Sequence, residues 1–225
     1  RLEDGPLPTD DALDLVLPLL VQVEALHERS LVAPLEGLSE LRVDGGHAWF
    51  PEALAKAPRR NARVKELDAP ESRALDVVGH AKVVTDVDEG SSEVESLSVS
   101  SGGSAVERRC YVPGFRSWEQ TLGHHDPLTD TFVLGLILGS VLLGLDLGDE
   151  GDLRTFAASR ENLFRLNPGL NPVVAKAIVR MTELDRHRRP QDLGRLGKTL
   201  ENYRDQVVDF DFDLARVAGF KERDP

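Results

Sequence analysis

The stretch TDTFVLGLILGSVLLG, residues 129–144, constrains this chain more than any other, because it carries no charge after Asp130. Its apolar run falls short of the roughly 20 residues that a membrane-spanning helix needs, so it predicts a central helix buried on all sides. Such a helix must be wrapped by other elements. The chain has the material for it: 225 residues, of which 40% are hydrophobic and 29% charged. That length holds one large domain or two small ones. Gly135 and Gly139 lie four apart, which puts them on one helix face and lets a neighbouring backbone or side chain approach closely.

Helical signals flank this stretch. Over residues 9–28, Leu13, Val16, Leu17, Leu20, Val23 and Leu26 recur at helical spacing, with Thr9 as the expected cap and Asp10 and Asp11 at the positive end. The apolar positions extend past one stripe through Leu15, Leu19 and Val21, which predicts a largely buried helix kinked at Pro18. Residues 152–166 predict another helix. Asn171-Pro172 then joins a cap to a proline at the first helical position, opening a helix whose apolar face is Val173, Ala177, Ile178 and Met181. Arg189-Pro190 breaks the chain before a last helix over residues 191–203. A hairpin is expected from strands at 41–43 and 48–50 around Asp44-Gly45-Gly46. Residues 52–84 mix loop with strand signals, strongest at 74–84, and residues 85–107, rich in Asp, Glu, Ser and Gly, predict a flexible loop. The expected fold class is mainly α, with a small β-hairpin and a long irregular central segment.

Charge narrows the function classes. The 39 acids against 27 bases give a net charge of −12, which argues against a nucleic-acid-binding face, since phosphate contacts need a dense Lys/Arg surface. Arg59-Arg60 and the Arg186, Arg188, Arg189 cluster are short and read as solvated surface charge. Cys110 is the only cysteine, so neither an intrachain disulfide nor a cysteine-built zinc site can form. That fits a reducing cytoplasmic setting. The sequence opens on Arg1 with no signal-peptide pattern and reads as a piece of a longer protein.

Four segments, taken in order, resemble the large helical lobe of protein kinases. LLVQVEALHERSLV is similar to the helix leading into the catalytic loop, where kinases read Leu-His-x-x-x-Ile/Val. Tyr111-Val-Pro113 followed by Trp118-Glu119-Gln120 resembles the end of an activation segment. TDTFVLGLILGSVLLG resembles the buried central helix of that lobe. LNPVVAKAIVRMTELDRHRRP resembles a later helix with its closing Asp-x-x-x-Arg-Pro, here Asp185, Arg189 and Pro190. The resemblance covers residues 9–50 and 108–203. It implies a kinase C-lobe-like domain over residues 1–205 without the small lobe, and an exit linker at 206–225.

The chemistry of that family is not carried over. Kinases need an Asp to orient the accepting hydroxyl, an Asn and a second Asp for Mg²⁺, and a Lys for the phosphates. Where the catalytic loop is expected the chain reads VAPLEGLSE, so Ala33 or Pro34 stands at the base position and no Asn follows. Where Asp-Phe-Gly is expected it reads Ala48-Trp-Phe-Pro51, with Phe50 left to a packing role. Neither Gly45-Gly46 nor Gly102-Gly103 has the strand-to-helix setting and nearby Lys of a phosphate loop. No catalytic residue, cofactor or metal is expected. The resemblance implies that the frame remains: Asp130 holds the backbone of residues 32–35, and Glu119 pairs with Arg189. A pseudokinase-like binding or scaffolding domain of a larger protein follows, with other domains or another protein as partner and neither nucleic acid nor membrane. Two alternatives stay open. One is an accessory N-terminal domain of a large bacterial helicase-type ATPase, suggested by the tail; the other is a divergent kinase with a truncated small lobe.

Other candidates have weaker grounds. Gly123-His-His-Asp126 offers metal-ligand types, but adjacent histidines rarely point at one ion, so a polar loop is expected. His187 beside Asp185 reads as surface, and no Gly-x-Ser-x-Gly nucleophile elbow is present. Tyr111, Phe115 and Trp118 read as packing residues.

Overall fold

The computed structural model describes residues 5–35, 38–67 and 109–206. The strand signals at 74–84, the loop at 85–107 and the segment beyond residue 206 lie outside them. Among the described residues there are seven α-helices and one two-stranded antiparallel sheet. In chain order these are α1 (Thr9–Glu28), β1 (Arg42–Asp44), β2 (His47–Trp49), α2 (Ala62–Leu67), α3 (Trp118–Thr121), α4 (Pro127–Leu143), α5 (Glu150–Ser159), α6 (Pro172–Met181) and α7 (Leu193–Glu201). The fold is mainly helical with a small hairpin.

Helix α4 is the axis. Asp126 caps it, its Oδ1 accepting from the Leu128 and Thr129 backbone N–H groups at 3.1 and 3.3 Å, and Gly144 closes it. Every residue from 129 to 140 is buried, in keeping with the absence of charge after Asp130. Helices α1 and α6 pack against α4. A Cβ built on Gly135 would lie 2.5 Å from the Met181 Cβ and 2.9 Å from the Thr182 Cγ2, and one on Gly139 would lie 3.3 Å from the Ile178 Cγ2. Glycine at 135 is thus what lets α6 come this close.

Helix α1 buries Leu13, Val16, Leu19, Leu20, Val23 and Leu26 and packs on α4, α7 and β2. The helix runs past Pro18 without a break. Two details differ from expectation. Pro8, not Thr9, stands at the N-cap, and no side chain caps the helix. Val21 is 53% exposed, because a helix docked on one side cannot cover its whole circumference.

The hairpin pairs Arg42 with Trp49, Val43 with Ala48 and Asp44 with His47, one residue off the expected bounds on each strand. Gly45 and Gly46 make its turn with φ of 57° and 84°, the left-handed pair that a two-residue hairpin turn requires. The Gln22 amide ties the returning strand to α1, accepting from the Phe50 N–H and donating to the Phe50 carbonyl, each at 2.7 Å. Phe50 is fully buried. The helix expected over 152–166 is two pieces, α5 and a 3₁₀ stretch Arg160–Arg165 bent at Asn162. Helix α7 is shorter than expected, starting from an Asp192 cap that accepts from the Arg195 N–H at 2.7 Å.

Candidate functional site

A polar cluster lies at the N-terminal end of α4, inside the apolar body. Its residues come from four loops and helix ends. Glu119 sits on α3, a single helical turn opened by Ser117, whose N–H is held by the Gln120 side chain at 2.7 Å. Asp126 and Asp130 belong to the cap and first turn of α4. Arg186 and Arg189 belong to the turn between α6 and α7, where the Asp185 carboxylate accepts from the His187 N–H at 3.0 Å. His27 ends α1, and His124 and His125 precede α4.

Glu119 is fully buried and is gripped by both arginines. Arg189 reaches it through both terminal nitrogens: Nη1 meets Oε1, and Nη2 lies 3.3 Å from Oε2. Arg186 Nη1 lies 3.0 Å from the same Oε1, and its Nη2 pairs with Asp126 Oδ2. Arg189 also donates to the carbonyls of Glu183 and Leu128 at 2.6 and 2.9 Å and stacks 4.5 Å above the Phe132 ring. Burial alone would raise the Glu119 pKa, yet Arg189, Arg186 and their hydrogen bonds outweigh it and hold the carboxylate below its usual range. Asp126 is lowered in the same way: burial opposes ionisation, and His124 and Arg186 overcome it.

Asp130 is equally enclosed. Its Oδ2 accepts from the Ala33 N–H at 2.9 Å and lies 2.9 Å from His27 Nε2, and its Oδ1 lies 2.6 Å from His125 Nε2. The Gln120 side chain donates to the Leu35 carbonyl at 2.8 Å, so the loop from Ala33 to Leu35 is held at both ends. Next to it, Val32 forms an antiparallel bridge with Lys56, and Arg59 forms one with His125. The structure thus brings together the three residues singled out in the sequence: Glu119 contacts Arg189, and Asp130 contacts the loop that includes Ala33 and a histidine on either side.

Sequence reasoning missed Arg186, which it assigned to solvated surface and which is 4% exposed. It also missed Asp126 as the link between α4 and Arg186. A signal existed in the Asp126-Pro127 cap, since an Asp that opens an apolar helix is held at the protein body. His124 and His125 lie in the loop before α4, where they are buried, and they point at different carboxylates, Asp126 and Asp130. Among the described residues no group of three or more potential ligands is arranged for a metal ion. Tyr111 and Trp118 are core residues that also donate to carbonyls, of Thr182 at 2.9 Å and of Leu184 at 3.0 Å.

Chemically this cluster is suited to holding geometry. The Asp130 carboxylate has both oxygens engaged, and neither His27 nor His125 hydrogen-bonds a hydroxyl or thiol among the described residues. The loop it fixes presents Ala33, Pro34 and Leu35, all buried. No protein-family model matches the chain, and no curated protein matches it. Among the described residues no helix is long and apolar enough to cross a membrane.

Proposed function

We propose that this chain is a non-catalytic, pseudokinase-like domain that binds or scaffolds other proteins. The observation that supports it is the pairing of a fully formed polar frame with an apolar loop. Asp130 and Gln120 fix the backbone of Ala33 and Leu35, and Ala33, Pro34 and Leu35 offer neither acid nor base where a phosphoryl-transfer enzyme would need one. A buried arginine–carboxylate network fixes geometry more than it adds stability. Retaining it without reactive groups suits a domain whose product is a shape.

The test is a thermal-shift titration of the full chain with ATP and Mg²⁺. No change in Tm is expected. A divergent kinase at a hundred times its dissociation constant would gain about 2.7 kcal/mol, which for a chain of this size reads as roughly 5–10 °C. A saturable, Mg²⁺-dependent shift of that order overturns the reading.

A further inference from the structure

We propose that the groove between α6 and α7 docks a short acidic peptide segment of a partner protein, through an apolar anchor and flanking carboxylates. The groove encloses about 490 Å³ and has Val173, Ala177 and Leu196 among its lining. Around these stand Lys176, Arg180 and Arg195, all exposed. The one acid lining the groove, Asp192, is engaged as the cap of α7. Three cations therefore face a single, occupied carboxylate, on a chain whose net charge is −12.

Elsewhere arginines do meet carboxylates, as Arg160 does with Glu183 at 3.1 Å and Arg154 with Glu150. Among the described residues Lys176, Arg180 and Arg195 form no ion pair, although acids outnumber bases by 39 to 27 in the chain. Lys176 and Arg180 are one turn apart on α6, where like charges repel. An anionic partner relieves that repulsion. A nucleic-acid duplex does not fit, because three cations cannot offset the repulsion from so acidic a body. A lone inorganic anion leaves the apolar part of the groove unfilled. An acidic peptide with one large apolar side chain satisfies both parts: its anchor covers the floor and its carboxylates meet the rim.

Fluorescence anisotropy on the full chain at low salt tests this, with the labelled peptide DEDFEDE as probe. Saturable binding is expected, weakened by salt, absent for KRKFKRK, and reduced at least about ten-fold in the K176E/R180E double variant. Arg195→Glu is a second variant from the opposite wall and should weaken binding likewise. Five results overturn the proposal. Equal binding of DEDSEDE means diffuse charge attraction, and displacement by millimolar inorganic phosphate means a small-anion site. Self-association in sedimentation that K176E/R180E abolishes means a second copy occupies the groove. Binding that arises only after Asp209, Asp211 and Asp213 are changed to Asn means the chain's own C-terminal segment fills it. The absence of any binding also sinks it, and leaves the ATP titration and its reading untouched.

Discussion

Arg189 directs its donors at Glu119, Glu183 and Leu128 together, with Phe132 beneath its plane. A lysine cannot reproduce that fork, because its ammonium is one compact charge. Both Arg189 and Glu119 have fully buried side chains, and removing one partner strands the other charge. Arg189→Lys should therefore cost nearly as much as Arg189→Ala, about 3–5 kcal/mol in urea denaturation. Arg188→Ala, one residue away with a side chain 71% exposed, should change stability by less than about 0.5 kcal/mol. Equal effects at the two positions would refute the assignment of Arg189 to the frame. Arg186 shows where reading residues in isolation stops. A charged residue belongs on the surface unless paired, and its partner Glu119 lies 67 residues earlier. Nothing local to Arg186-His187-Arg188 marks which arginine turns inward.

Helix α4 was the most legible element, and for a physical reason. Its length and missing charge mark it as a buried helix without any tertiary contact. It nonetheless starts at Pro127, two residues before the expected Thr129, from the Asp126 cap, and ends at Leu143 with Gly144 as its cap. Helix α6 was legible through Asn171-Pro172 for the same reason. The single turn α3 was not, because four residues carry too little periodicity to stand out. The bend at Asn162, inside the 3₁₀ stretch that follows α5, had no Pro or Gly to announce it. The α4–α6 contact yields a sharp expectation. Gly135→Ala gains about 1 kcal/mol of helix propensity, but the new methyl meets the Met181 Cβ, an atom fixed to the backbone that cannot rotate away. Overpacking of this kind costs about 1–3 kcal/mol or more. Net destabilisation is expected in a urea melt, whereas Gly139→Ala, which meets the Ile178 Cγ2 at 3.3 Å and the Leu147 and Phe156 side chains at 3.7 and 3.9 Å, should be near neutral. The reverse order would mean that α6 does not lie against Gly135.

On the scale of the whole molecule, the frame couples folding to pH. Glu119 and Asp126 both ionise more readily in the folded chain than at their usual values of 4.5 and 3.8. The stability they confer is complete above those values and is lost as pH falls towards their lower folded ones. Stability should hold from about pH 7 to 5 and fall below about pH 4.5. Asp126→Asn keeps a residue able to cap α4 but loses the titration, so its urea midpoints should decline less steeply in acid. Parallel declines in the two proteins would remove Asp126 from that role. Class and helix order were readable from sequence because they follow from local pattern. The frame as a whole was not, since its partners meet only through the fold.

The ties of α1 also set a timetable. His27 reaches Asp130 across 103 residues, and the Tyr203 hydroxyl meets Asp10 across 193. At a synthesis rate of roughly 5–20 residues per second, α1 leaves the ribosome roughly 10–40 s before α7 can cover it. During that interval Leu13, Leu20 and Val23 have no finished pocket. The newborn chain depends on whatever shields an apolar helix while its lid is still being made.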